Sequence, residues 1–324
     1  NMVNPDEIIG PQAGRPTLLE VDERSVTRRL DNYLRRILKG VPKSHIYRII
    51  RDGQVRVNGG RVKPDYRLRP DDKVRIPPIR TANRESVAEL DLSKVEMIQT
   101  LYEDQSILVV NKPPGIAVHG GTGLAGGIIE LLRAKRYADS FLELAHRLDK
   151  DTSGCLILSK TPDCLRSLHA SLRRQEESAY FHKTYHIIVV GEWQADVQEV
   201  NAPIKKARGN LVSRVIVSPS GSPARTIFQP LRRLNGFTLV EVKLMTGRMH
   251  QIRVHAASVG FPVAADRKYG NVSTNQQLAR IGIKRQLLHA TKIELQHPDT
   301  GVLIKIEAPL PDDFEQLMST RSNL

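Results

Sequence analysis

The stretch AHRLDKDTSGCLILSK, Ala145 to Lys160, gathers His146, Arg147, Asp149, Asp151, Thr152 and Ser153 directly ahead of an apolar run. A carboxylate set among cations at the mouth of a strand can act as a nucleophile or a general base, since an ordinary aspartate, with a pKa of about 3.9, is ionised at neutral pH. Two blander readings compete. Asp149, Asp151, Ser153 and Gly154 fall at positions one, three, five and six of a calcium-binding EF-hand loop, but position twelve is Lys160, where a bidentate Glu is needed, and strand-like residues follow Gly154. A solvated turn also fits, because Asp, Thr, Ser and Gly are turn formers. Against it stand the apolar flanks Leu144-Ala145 and Cys155-Leu156-Ile157-Leu158, which set the loop at the end of buried strands.

Other patterns carry less chemistry. Gly121, Gly123 and Gly126 fit G-x-G-x-x-G ahead of a helix, with Glu143 about twenty residues on, but Lys112-Pro113-Pro114-Gly115 separates them from the preceding strand and no run of βαβ units follows. A flexible substrate-facing loop is the better reading of HGGTG. His250 and His255 are five apart, so they do not share a helical face as zinc ligands at i, i+4 would. Cys155 and Cys164 are too few for a zinc site and are expected to pack as free thiols in a reducing compartment.

Short β-like runs must position these residues: SILVVNK, GCLILSK, TYHIIVVGEW, RVIVS, FTLVEVKL and VLIKIEAP. Helical stretches intervene at about 127–135, 164–174 and 250–259. Strands outnumber helices and short turns join many of them, which predicts an α+β fold with a mixed, mainly antiparallel sheet and flanking helices, not a doubly wound one.

The chain has 324 residues and a net charge of +14, unevenly spread. Val21 to Arg80 holds 17 Lys and Arg against 7 Asp and Glu, while the rest holds 32 against 28. A basic module joined to a nearly balanced one suggests a polyanionic partner. No window approaches eighteen consecutive apolar residues and the start lacks the regions of a signal peptide, so neither membrane insertion nor export is expected, and the cytoplasm is.

Inside the basic module, Leu30, Tyr33, Leu34, Ile37 and Leu38 trace one helical face, with Gly40 placed to end the helix. A second helix, from about Pro42 to Arg51, buries Ile46, Ile49 and Ile50. QVRVNGGRV then alternates around Asn58-Gly59 as a hairpin would. A charged surface can be merely solvated, but two helices and a hairpin that are all basic resist that reading. RLDNYLRRILKGVPKSHIYRIIRDGQVRVNGGRVKPDYRL resembles the S4 RNA-binding module over about sixty residues. The resemblance implies RNA backbone contacts from Arg35, Lys43, Arg48 and Arg51, which position a substrate and weaken with salt.

HRLDKDTSG, in turn, resembles the motif of the RluA-type pseudouridine synthases, with NKPPGIAVHGG at 111–121, KTYHIIVVG at 183–191, TGRMHQIRVH at 246–255 and LLHA at 287–290 in the same order. One departure is AADRKYG at 264–270, where the family more often has glycine before the aspartate. The resemblance implies isomerisation of uridines to pseudouridine in 23S ribosomal RNA, by a monomer that needs no cofactor or metal. It assigns Asp149 as nucleophile or base, Arg253 as the cation holding it, Tyr185 as the aromatic stacked on a flipped uracil, and Arg147 as the residue entering the RNA stack; His146 faces RNA or orients the loop. Asp151, Thr152 and Ser153 are expected to shape the turn through side-chain to backbone bonds. The organisation expected is an N-terminal extension at 1–20, an S4-like domain at 21–80, a linker at 81–97 and a catalytic domain at 98–324. A non-catalytic assembly factor bound to ribosomal RNA, and more remotely an oxidoreductase using the glycine loop, are the alternatives.

Overall fold

The computed structural model describes residues 16–22, 25–38, 41, 43–78, 91–120, 126–137, 140–173, 181–207 and 214–320. The chain divides into two compact units, Asn1–Glu89 and Leu90–Leu324, and each has a core of its own.

The first unit packs helices α1 (Leu30–Ile37) and α2 (Lys43–Arg51) with a three-stranded antiparallel sheet of β1 (Thr17–Glu20), β2 (Arg56–Val57) and β3 (Lys73–Ile76), in the order β1-β3-β2. All five residues of the predicted α1 stripe are buried, as are Ile46, Ile49 and Ile50 of α2. Asp31, also buried, accepts two bonds from Arg29 and one from the Tyr47 hydroxyl, so one carboxylate ties the helices together. The Asn58-Gly59 turn forms with both residues at positive φ, as a two-residue hairpin turn requires. The chain leaving it pairs only at Gly60, however, and the partner of β2 is β3. Asn58 accounts for that register: its amide oxygen accepts the Lys73 N–H at 2.8 Å and its NH2 donates to Asp72. Pro64, in the segment after the turn, has no N–H to give a ladder. Thr17–Glu20 lies within the expected N-terminal extension; Gly40 and Pro42 lie outside the described residues.

The second unit is built on a ten-stranded sheet. Its strands are β4 (Gln99–Glu103), β5 (Ile107–Lys112), β6 (Glu143–Leu144), β7 (Ser153–Ser159), β8 (Phe181–Val190), β9 (Gln198–Asn201), β12 (Arg225–Leu234), β13 (Phe237–Leu244), β14 (Leu288–Gln296) and β15 (Leu303–Glu307); β10 (Ile204–Lys206) and β11 (Val215–Val217) form a separate hairpin. The sheet order is β4-β5-β7-β14-β8-β13-β12-β9, with β15 beside β14 and β6 beside β7. Among the described residues every pairing is antiparallel except β7 with β14, so the sheet is mixed and mainly antiparallel. All seven residues of β7 are buried, which explains why GCLILSK reads as a continuous apolar run.

The helices here are α3 (Ile128–Lys135), α4 (Pro162–Arg173), α5 (Gln251–Ser258), α6 (Val272–Arg280) and α7 (Asp312–Ser319). The first three match the predicted stretches. The last two escape prediction because each buries so little: only Leu278 of VSTNQQLAR, and only Phe314 and Leu317 of DDFEQLMS, so neither shows a long apolar stripe. Much of the expected linker at 81–97 lies outside the described residues. Within it Leu92–Val95 forms a short 3₁₀ turn whose Val95 joins the core of the second unit.

Candidate active site

The HRLDKDTSG loop runs between β6 and β7, and three segments distant in sequence fix its shape. Gly154 sits at the crossing where β7 runs parallel to β14, with φ +105°, and a Cβ there would lie 2.2 Å from the Ala290 carbonyl oxygen. Only glycine fits both the backbone and the approach. Ser153 donates its hydroxyl to Nδ1 of His289 at 2.9 Å, and the Gln286 amide donates to Thr152 Oγ1 at 3.0 Å. The Arg285 guanidinium reaches the Asp151 carbonyl at 3.1 Å. The polar residues after Asp149 are therefore braced from β14 and the residues before it. Only the backbone bond from the Thr152 N–H to the Asp149 carbonyl is the local kind expected from a turn.

A second brace comes from NKPPG. Lys112 is fully buried, and its ammonium donates to the carbonyls of Pro113, Ile116 and Lys150 at 2.7–2.8 Å. Burial pulls its pKa down to about 7, yet only the charged form has three protons for three acceptors, so the geometry favours the ammonium. The Gly115 N–H also bonds to the Lys150 carbonyl.

The third brace touches the carboxylate itself. Arg253, on α5 and 7% exposed, donates from one terminal nitrogen to Asp149 Oδ2 at 2.8 Å. Its Nε and other terminal nitrogen hold both oxygens of Asp266 at 2.7 and 2.8 Å. Asp266 is completely buried, and its Oδ1 also accepts the N–H groups of Lys268 and Tyr269. Burial alone would raise the Asp266 pKa, but the bonds and charge of Arg253 outweigh it and the net shift is downward. One guanidinium thus spans two carboxylates, and Asp266 fixes its plane so that the remaining N–H group points at Asp149.

Asp149 and Arg253 lie on the wall of an open cleft of about 970 Å³, shared with Arg147, Lys183, Tyr185 and His250. Tyr185 projects from β8, is 5% exposed, and has its hydroxyl pKa raised by burial and, secondarily, by the Asp149 charge. It is a neutral phenol with a ring on the cleft. Arg147 is exposed. His146 is half-buried, and its Nε2 accepts the Ile157 N–H at 3.1 Å. Burial and the nearby Lys183 ammonium push its pKa down to about 3, so it is a neutral anchor of the loop on β7. Of the expected residues, the structure brings Asp149, Arg253, Tyr185, Arg147 and His146 to this one cleft.

Lys112, Asp266, Gln286 and His289 are the residues that motif reading left without a role, although each stands inside or beside a quoted motif. His255 is not a ligand: it accepts or donates between Thr226 Oγ1 and the Ala202 carbonyl inside the core. Among the described residues no cluster of three or more His, Cys, Asp or Glu could hold a metal, and no helix is long and apolar enough to cross a membrane. Gly121 and Gly123 lie outside the described residues, whereas Gly127 ahead of α3 approaches the backbone of His119 and Ala117 too closely for any Cβ.

In the first unit Arg35, Arg48 and Arg51 are exposed, with Arg48 also in contact with His45 Nδ1. Arg29 and Arg36 instead pair with Asp31 and Asp22. The side chain of Lys43 lies outside what the structure describes.

A carboxylate and an arginine on an open cleft beside a mixed sheet, in a chain that also carries a small basic module, suit an enzyme acting on a polyanion, and the sequence comparisons make its class an RNA-modifying isomerase. The model of the RNA pseudouridylate synthase family matches residues 106–258, and that of the S4 domain matches residues 28–74. The chain belongs to the pseudouridine synthase family. It is 47% identical over 301 residues to ribosomal large subunit pseudouridine synthase C of Escherichia coli (strain K12), covering 91% of this chain and 93% of that protein. It is 46% identical over 311 residues to the protein of the same name from Yersinia pestis, covering 94% and 96%. Among solved structures, human RNA pseudouridylate synthase domain containing 4 superposes with a TM-score of 0.53 at 25% identity, covering 72% of this chain and 94% of that one.

Proposed function

We propose that this isomerase converts specific uridines of 23S ribosomal RNA to pseudouridine in the cytoplasm, with Asp149 as the reacting carboxylate. The observation that carries the reading is the 2.8 Å contact between Asp149 and Arg253 on the wall of the open cleft. The names of the relatives, identical at nearly half of their positions, support the choice of RNA.

Pseudouridine formation breaks the C1′–N1 bond, turns the uracil and joins C1′ to C5; the C5 hydrogen leaves as a proton and N1 gains one, with no net redox change. The target base cannot react inside a helix, so it is extruded into the cleft, where an apolar ring face such as that of Tyr185 offers a stacking surface. Arg147, exposed at the same cleft, takes the place of the departed base, and Arg35, Lys43, Arg48 and Arg51 of the first unit grip phosphates. Asp149 acts as nucleophile or base at the nucleoside. Arg253 keeps it aimed, and Asp266 keeps Arg253 aimed.

Asp149→Asn removes the charge but little volume. Tritium release from ribosomal RNA labelled at uridine C5 should vanish while RNA affinity stays within about twofold, as expected where a group acts in the transition state and not in binding. Appreciable release by that variant sinks the assignment.

A further inference from the structure

We infer that His250 is a second positioning residue for Asp149, held in one tautomer by Tyr269 so that it presents an N–H to the carboxylate oxygen Arg253 already holds and leaves Oδ1 to the substrate. The inference rests on the reading of Asp149 as the reacting group.

The first observation is a chain of polar contacts ending at the carboxylate. The Val215 N–H donates to the Tyr269 hydroxyl oxygen at 2.9 Å, and that hydroxyl lies 2.8 Å from His250 Nδ1. With its oxygen already accepting from Val215, the Tyr269 hydroxyl has Nδ1 as its one bonded acceptor among the described residues, and we assign its proton there. A neutral imidazole accepting at Nδ1 carries its hydrogen on Nε2. Nε2 is the atom that faces Asp149 Oδ2, at 3.8 Å. The opposite tautomer would set a lone pair against a carboxylate. Apo contacts of this length commonly tighten when a substrate fills the site.

The second observation is the backbone. His250 stands immediately ahead of α5 with φ 55° and ψ 17°, the left-handed region, which a side chain with a Cβ occupies at a cost. Its side chain does not cap the helix; the imidazole bonds Tyr269 and faces Asp149 instead. The ring is nearly covered, meeting the Tyr269 ring edge-on at 5.6 Å between centroids. Arg253 and Arg214 both stand over the Tyr269 ring, at 5.1 and 5.5 Å. Burial, with the charges of Arg253 and Lys268, disfavours protonation of His250, while Asp149 and Asp266 oppose them, and the net direction is downward, toward the neutral ring.

Both Arg253 and His250 address Oδ2, and no described residue bonds Oδ1 of Asp149. Once the 3.8 Å approach of Nε2 closes to a bond, two donors on one oxygen hold the carboxylate in place and define which oxygen meets the nucleoside.

The test uses the full-length chain in two measurements. Nitrogen-15 NMR of protein labelled at histidine, with the His250 signals identified by their loss in His250→Gln, reports the tautomer. Nε2 should be protonated and Nδ1 bare in the wild type, and Tyr269→Phe should yield a mixture. Turnover on C5-tritiated ribosomal RNA should fall about tenfold in kcat with KM unchanged in His250→Phe, equivalent to about 1.4 kcal/mol of barrier, and recover in part in His250→Gln, whose amide restores an N–H donor. A wild-type ring protonated at Nδ1, or a His250→Phe enzyme with wild-type kcat, overturns the inference. If His250→Phe does not fold, the tautomer in the wild type and in Tyr269→Phe decides alone. Activity in Asp149→Asn would instead overturn the reading of Asp149, whatever the tautomer proves to be.

Discussion

Replacing Asp266 by Asn tests whether the aspartate in the cleft is governed by a residue that touches no substrate. Asp266 is fully buried and Arg253 nearly so. The substitution preserves shape: an Asn oxygen at the Oδ1 position can still accept from the Lys268 and Tyr269 N–H groups and from one Arg253 nitrogen. What it loses is the bond from Arg253 Nε to Oδ2 and the charge that balances the guanidinium. A bond to a charged group contributes about 1.5–3 kcal/mol, and breaking a buried ion pair costs about 3–5. Arg253 keeps Asp149 as a partner, so the low end applies, about 3 kcal/mol, or roughly 6–12 °C in Tm for a unit of this size. Arg253, no longer held in plane, should also loosen its grip on Asp149, lowering kcat at least about tenfold with RNA affinity unchanged. Calorimetry and tritium release on the same preparation check both. A variant that melts within about 2 °C of the wild type and turns over within about twofold of it would refute the argument that Asp266 sets the geometry.

Three further outcomes are expected at other positions. His289 is buried and bonded to Ser153, and burial lowers its pKa to about 4 from an ordinary 6.5; a depressed folded pKa contributes stability that is fully present above pH 6.5 and lost as pH falls to 4, about 3 kcal/mol, so urea unfolding of His289→Asn should show a flatter pH dependence across that window, and equal slopes would count against it. Ala265 has φ 58°, so Gly there should lie within about 0.5 kcal/mol of wild type, its backbone relief cancelled by chain entropy and a lost methyl, whereas the β-branched Val should cost at least about 2 in urea midpoint experiments. Changing Arg35, Arg48 and Arg51 together to Gln should reduce the log–log salt slope of RNA binding by about 2 without moving Tm, at roughly 0.7–0.9 per phosphate contact, and an unchanged slope would remove these residues from the interface.

Where burial and chemistry act within a few residues of each other, the sequence is readable. The α1 stripe, the β7 run and the position of the HRLDKDTSG loop at its mouth follow from local patterning, and the departure at Ala265 marks a position whose backbone is left-handed. The order of the sheet is not readable, because β14 separates β7 from β8 although β8 follows β7 in the chain. Neither is the bracing of the loop. Ser153 meets His289 across 136 residues, Thr152 meets Gln286 across 134, and Arg253 meets Asp149 across 104. A turn-forming sequence predicts that Thr and Ser bond their own backbone; tertiary contacts to the residues around the start of β14 win here because Gln286 and His289 are themselves buried and must find polar partners. Asp266 escapes for the opposite reason: in sequence it is one acid in a basic loop, and only its burial shows that it is reserved for Arg253.

These contacts also explain why the loop needs so many remote supports. Lys112, Arg253 and Asp266 are buried ions, each costly to desolvate, and none is stable unless its partner arrives from another segment. Lys112 needs the Lys150 carbonyl, Arg253 needs Asp149 and Asp266, and the parallel crossing at Gly154 needs β14. The carboxylate is thus aimed only after every segment has docked, so its position is a property of the whole second unit and not of the motif. A reaction that must hold a detached uracil and a sugar in register depends on rigidity of that kind. It follows that substitutions at Lys112, Asp266 or Gly154 should reduce turnover together with stability, whereas changes to Arg147, exposed and without structural work among the described residues, should affect turnover alone.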